Sequence, residues 1–201
     1  MKHFLLSFSL SILSISLSAQ SFNNNSSVSF GFKVGANISN MNFNKGYPRP
    51  AETVSASWKL GFTGGLFMEV PVFSSFYIQP EYLYSYIQGE HVTHGETYTM
   101  HYLSLPVALK YKLGERFAVM AGPQFDILLK ASKTPGAESN ITHDTEERNI
   151  AALAGLEYKV LDFLSLNARY IHGINHIGIG QRSAVKEFKF EMAQLTAAIT
   201  F

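Results

Sequence analysis

The chain contains no cysteine. That excludes disulfides, a thiolate metal site and a lipid-modified N-terminal cysteine. Charge is sparse and balanced: 15% of residues are Asp, Glu, Lys or Arg, and the net charge is +1. Nothing in that balance points to nucleic acid or to an acidic partner. Beyond the first residues there is no apolar run near the roughly 20 residues that a membrane-spanning helix needs. Mean hydropathy is only +0.04, so a helical membrane protein is excluded. Also missing are a Gly-x-Ser-x-Gly elbow, a phosphate loop and a dinucleotide fingerprint.

What is present is aromatic and alternating. Aromatics make up 13% of the chain, with 16 Phe and 10 Tyr, and such residues favour strands. The N-terminus is different. Met1-Lys2-His3 is short and basic, Phe4 to Leu17 is apolar and Ser-rich, and Ser16, Ser18 and Ala19 are small. This is the layout of a cleaved secretory signal peptide over residues 1–19, with cleavage near Ser18 or Ala19. An Asn/Ser-rich stretch, Gln20 to Ser27, reads as a flexible periplasmic tail. One domain of residues 28–201 follows.

Eight segments of that domain alternate with period two. They are Val28 to Ser39, Trp58 to Val70, Phe76 to Ile87, Thr99 to Tyr111, Phe117 to Leu129, Ile150 to Val160, Phe163 to His172, and about Phe188 to Phe201. In the last, the apolar phase shifts between Phe190 and Ala193, which predicts a β-bulge. Pro80, Pro106 and Pro123 predict gaps in regular pairing, because proline lacks a ladder donor. Connections after the even segments are short: Pro71 to Ser75, Lys112 to Arg116, and Leu161-Asp162. Those after the odd segments are long and polar: Met41 to Ser57, Gln88 to Tyr98, Lys130 to Asn149, and Gly173 to Glu187. Alternating short turns and long loops are the habit of an outer-membrane barrel, with the loops outside the cell and the termini in the periplasm. The expected fold is all-β, an eight-stranded antiparallel up-and-down transmembrane β-barrel.

A soluble ligand-binding barrel would also alternate, with its apolar face inside. Three features favour the membrane arrangement. The apolar phase contains no Asp, Glu, Lys or Arg, and a Lys or Arg facing lipid at midplane costs roughly 2–4 kcal/mol. The other phase is rich in Gly, Ala, Ser and Thr, which a narrow lumen can hold. Aromatics fall where water meets lipid. Phe32, Phe76, Tyr111, Phe117, Tyr158, Phe163 and Phe201 lie toward the short turns, and Trp58, Tyr84, Tyr86 and Phe188 toward the long loops.

The polar phase carries Lys33, Lys59, Lys110, Lys159 and Arg169 against Glu69, Glu81, Asp126 and Glu157. Eight strands leave an interior that side chains fill. An unpaired buried charge is costly, so these nine residues are expected to pair with one another and with Gln79, Gln124, Asn167 and Gln194. A plug of ion pairs is favoured over a conducting pore.

Five segments, in order, resemble a known family: Phe30-Gly-Phe-Lys-Val-Gly-Ala-Asn-Ile-Ser, Ile78-Gln-Pro-Glu-Tyr-Leu-Tyr-Ser, Tyr102-Leu-Ser-Leu-Pro-Val-Ala-Leu-Lys-Tyr, Ala121-Gly-Pro-Gln and Ala168-Arg-Tyr-Ile-His-Gly-Ile. Together they look like the PorT-like "porin family" outer-membrane barrels of Bacteroidetes. The resemblance implies fold and place more than activity. The family takes its name from a member needed for protein secretion across the outer membrane, a role that nothing in this sequence singles out.

Seven histidines raise the question of a metal. His91 and His94 share one loop, His172 and His176 flank another, and His143 precedes the acidic Asp144-Thr-Glu-Glu147. Zinc takes such ligands, yet no spacing such as His-Glu-x-x-His fixes them on a rigid element. No metal or cofactor is expected. His101 and Ser104 fall on opposite phases of one strand and cannot easily meet; Ser57 or Ser85 could reach His101 from other strands. No catalytic set emerges. The expected role is that of a structural or partner-binding envelope protein, since rigid scaffolds usually bind through their loops. Tyr47-Pro-Arg-Pro50 and the acidic third loop are candidates for an unidentified extracellular or envelope protein partner. A narrow channel, or assistance to secretion, is the alternative. The other expected partners are outer-membrane lipid and the barrel-assembly machinery, the latter through the C-terminal strand ending in Phe201.

Overall fold

The computed structural model describes residues 27–45, 56–91, 95–134, 139–179 and 186–201. The expected signal peptide and nearly all of the tail lie outside the described residues, as does Tyr47-Pro-Arg-Pro50.

Eight long strands form the wall: β1 (Ser29–Asn42), β2 (Ala56–Phe73), β3 (Phe76–His91), β4 (Glu96–Leu113), β5 (Phe117–Thr134), β7 (Arg148–Leu161), β8 (Leu164–Gly173) and β10 (Lys186–Thr200). Each pairs antiparallel with its neighbour, and β1 pairs with β10, from Gly31↔Thr200 to Asn42↔Lys189, which closes the sheet. Closure leaves no open edge. Two short strands, β6 (Ser139–Asn140) and β9 (Ile177–Ile179), add to the upper parts of β5 and β10.

Why these residues form a barrel follows from the alternation. Phe30, Phe32, Val34 and Ile38 of β1 face outward, while Lys33, Asn37 and Ser39 between them are buried inside. Every barrel strand repeats the pattern, with Leu60 and Phe62 on β2, Val107 and Leu109 on β4, Phe125 and Ile127 on β5, and Leu166 and Tyr170 on β8 all exposed. Lys110 and Arg169 turn inward. Soluble monomers rarely expose apolar patches above a few hundred Å²; here the apolar surface runs round the whole cylinder.

Several local details differ from the sequence reading. β10 runs in unbroken register against β1, so there is no bulge between Phe190 and Ala193. Phe188 does not join the outer aromatics; it is fully buried inside the barrel. Most strands reach further than the alternation suggested, so the turns after β2 and β4 shrink to Ser74-Ser75 and Gly114 to Arg116. The turn after β7 shifts by one residue to Asp162-Phe163, and the expected long loop Gln88 to Tyr98 shortens to residues 92–95 between β3 and β4. Register shifts occur instead at Trp58/Phe62, Pro71/Phe73, His101/Tyr102 and Lys159/Leu161. The ladder is interrupted, without a change of register, between Pro80↔Val107 and Leu83↔Ser104 and between Pro106↔Gln124 and Leu109↔Ala121.

A transmembrane strand needs about 9–11 tilted residues. β2, β4 and β5 have 18 each, so they rise beyond the apolar belt at the long-loop end. There a 3-10 turn, Phe43–Lys45, drops Phe43 into the mouth against Phe188 at 5.4 Å and Tyr98 at 6.2 Å between ring centroids. A bridge from Thr145 to Ile179 ties two of the loops together.

Candidate functional site

The lumen has two zones. The one nearer the short turns is ionic. Glu81 of β3 lies at its centre and accepts from Lys33 Nζ at 2.7 Å, Gln79 Nε2 at 2.6 Å, and the Arg169 guanidinium at 2.5 and 2.8 Å. The side chains of Lys33, Glu81 and Arg169 are at most 1% exposed. One carboxylate thus serves two cations from β1 and β8, across the barrel. Lys33 also lies over the Phe67 ring, 5.1 Å from its centroid. Gly31 makes room for that ring: a Cβ there would sit 2.4 Å from Phe67 Cζ. Below, Glu69 accepts from Lys110 at 2.5 Å and Lys112 at 2.7 Å, and Lys110 also pairs with Glu157.

The structure therefore brings together Lys33, Glu81, Arg169, Lys110, Glu69 and Glu157. It leaves three of the nine expected residues elsewhere. Lys59 meets Glu90 at 2.6 Å near the long-loop rim, and Lys159 meets Asp162 at 2.9 Å in a short turn. Asp126 has no cation among the described residues; Gln124 at 2.8 Å and Asn149 at 2.7 Å donate to it. Sequence reasoning missed Lys112, although it shares the phase of Lys110, and missed Phe67. Asn37, Asn167, Gln194 and Thr196 carry buried polar atoms with no protein partner, the kind of group that ordered water serves in interiors.

The second zone, toward the long loops, is apolar. Met41, Ile87, Tyr98, Met100, Tyr102, Leu128, Leu153, Ile171, Phe188, Phe190 and Met192 pack into one cluster, capped by Phe43, Ile177 and Ile179. The expectation of a lumen held throughout by small and charged residues fails here. The reason is the solvent outside: above the belt the wall meets water, so an ordinary hydrophobic core forms inside.

The outer aromatics form two bands. Phe76–Tyr111 at 4.6 Å and Phe117–Tyr158 at 4.9 Å lie at the short-turn end, together with Phe201. Phe62–Tyr86 at 5.2 Å and Phe62–Tyr84 at 5.9 Å lie toward the long loops, with Trp58 beyond them.

His101 stands on the outer wall, bonded through Nδ1 to the Tyr84 hydroxyl at 2.5 Å. Ser104 and Ser85 are bonded to each other inside at 3.0 Å, and Ser57 donates to Glu90 at 2.5 Å. None of these serines is engaged with His101. His176 Nε2 contacts the Lys45 carbonyl at 2.8 Å, and His172 lies 3.9 Å from Glu191. The side chain of His91 and all of His94 lie outside the described residues. Among the described residues, no three His, Asp or Glu gather closely enough to hold a metal. Lys45 donates to Glu191 at 2.7 Å, and that bond holds its ammonium above the usual lysine range.

A closed eight-stranded antiparallel barrel, greasy outside and filled within, is the architecture of an integral outer-membrane protein. Residues 18–178 match the family model described as outer membrane protein beta-barrel domain, and the chain belongs to that family. Among solved structures it resembles the attachment invasion locus protein Ail of Yersinia pestis, crystallised with the heparin analogue sucrose octasulfate. Identity is 14% over 88% of this chain and 100% of that one, with a TM-score of 0.51. Neisserial surface protein A is similar at 14% identity, 88% and 100% coverage, and a TM-score of 0.54. At such identities the likeness shows the fold. None of the curated proteins matches the chain.

Proposed function

We propose that this is a non-enzymatic envelope protein of the PorT-like group of Bacteroidetes. Its termini and short turns face the periplasm, and its four connections at the other end, outside the cell, bind a partner or build the surface. The observation that carries the reading is the filling of the interior along its whole length. Glu81 with its two cations blocks the lower zone, and the apolar cluster blocks the upper. Such a barrel is a rigid stand for loops rather than a conduit. The polar atoms around Asn167 and Gln194 favour a second reading, a narrow path for water or ions, but the apolar zone above would stop it.

Two measurements test this. In planar bilayers the pure protein is expected to show no large, stable conductance, and nanosiemens steps would overturn the proposal. Pull-down from intact cells, with and without the loop between β5 and β7, is expected to recover a partner only when the loop is present. A tag placed in that loop should be accessible on intact cells.

A further inference from the structure

We propose that the outer wall carries a site for the phosphorylated aminosugar headgroup of an outer-leaflet glycolipid, in a groove lined by Gln88, Thr97, Thr99, His101, Ser132 and Thr134. This rests on the orientation given above, since such lipids occupy the outer leaflet.

The groove arises where three neighbouring strands leave the apolar belt together. On β3 the outward phase passes from Tyr84 and Tyr86 to Gln88; on β4, from Leu103 to His101, Thr99 and Thr97. On β5 it passes from Ile127 and Leu129 to Lys130, Ser132 and Thr134. The register shift at His101/Tyr102 keeps the three strands in step: Thr99 pairs with Ser132, and Thr97 with Thr134. β6 pairs with Ser132 and Lys133 and walls the far side. The space between is about 400 Å³, within the usual range for small-ligand sites.

Its chemistry selects the occupant. The named lining residues are an amide, four hydroxyls and an imidazole, with no carboxylate. The Gln88 amide already orders two of its neighbours, donating to the Tyr86 hydroxyl at 2.7 Å and to Thr99 Oγ1 at 3.4 Å. Apart from the Tyr86 ring and the threonine methyls, the lining is polar, so a sugar ring would find many neutral partners and an acyl chain few apolar ones. Beneath it the Phe62, Tyr84, Tyr86 and His101 rings form a platform, with Tyr86 edge-on to His101 at 5.2 Å. Lys130, exposed and opposite His101 in the ladder, puts a cation at the border, where a headgroup phosphate would lie. The groove opens sideways and runs straight into the apolar belt, so the acyl chains continue down the wall. A glycerophospholipid headgroup offers too few hydroxyls to use this lining.

The test uses the refolded full-length chain in detergent micelles, with lipid A, phosphatidylglycerol or phosphatidylethanolamine added and retained lipid read by native mass spectrometry. Lipid A is expected to be retained in preference to both phospholipids. The Thr97→Val/Thr99→Val pair keeps the β-branched shape and removes two hydroxyls, and should cut retention about tenfold. Lys130→Gln should weaken lipid A more than its dephosphorylated form. Asn40→Ala, on the outward phase of β1, should change nothing. Unheated electrophoretic mobility shows whether each variant is folded; if the pair does not fold, Thr134→Val carries the same test. Equal retention of lipid A and phosphatidylglycerol, or no loss in the threonine variants, would overturn the proposal. The micelle assay does not depend on orientation. An inaccessible loop tag on cells would sink the orientation, whereas unselective retention in micelles would sink the groove.

Discussion

Glu81→Gln is the sharpest perturbation of the lumen. The wild-type carboxylate accepts four hydrogen bonds, three of them from Lys33 and Arg169. A glutamine keeps the shape but removes the charge and one acceptor. It leaves two cations buried at no more than 1% exposure without a counter-ion. Removing one partner of a buried pair costs roughly 3–5 kcal/mol, mostly because the remaining charge is stranded. The Lys59–Glu90 pair supplies the control, since its side chains are 34% and 26% exposed. Glu90→Gln should leave the midpoint nearly unchanged, because solvent screens an exposed pair. Both can be read by urea titration of the refolded protein in vesicles, following the chain's single tryptophan, Trp58. A shift of midpoint at constant slope is a change of stability. Adding Lys33→Met to Glu81→Gln should recover part of the loss, because one stranded cation is gone. If Glu81→Gln costs no more than Glu90→Gln, the interior is wet enough to screen these charges. The picture of a sealed plug would then be wrong.

Two further predictions address the wall and its close approaches. Leu195, exposed midway along β10 between Ala36 and Ala168, faces lipid, so Leu195→Arg should lower stability by roughly 2–4 kcal/mol in the same titration. An effect within error would mean that this face is not in hydrocarbon. Gly31→Ala should cost roughly 1–3 kcal/mol by over-packing, because the new Cβ would sit 2.3 Å from the Ile199 carbonyl oxygen and 2.4 Å from Phe67 Cζ. Adding Phe67→Leu should recover only the share due to the ring.

The lower half of the barrel was legible because lipid outside and polar groups inside write opposite chemistries on successive residues. Lys33 between Phe32 and Val34, or Arg169 between Ala168 and Tyr170, has one way to face. Which cation meets which carboxylate was not legible. Lys112 replaces Lys159 as a partner in the lower cluster because strand tilt, not sequence spacing, sets heights in the lumen. The upper half misled for a different reason. On β10 the alternation passes from Leu195 outward to Phe190 and Phe188 inward, with Lys189 and Glu191 turned out. Read along the sequence, that is a slip of one residue, the signature of a bulge. A bulge would break the pairing with β1, yet the register is continuous from Gly31↔Thr200 to Asn42↔Lys189. What changes is the medium around the wall. Where lipid gives way to water, the apolar phase moves from the outside of the strand to the inside without any change in the backbone. The same inversion occurs on β3, from Tyr84 outward to Ile87 inward, and on β4, from Leu103 outward to Tyr102 and Met100 inward. β3 and β4 invert at the bonded Tyr84–His101 pair, so that level marks the membrane border on this side. An apparent bulge whose ladder is intact is therefore a ruler for the bilayer.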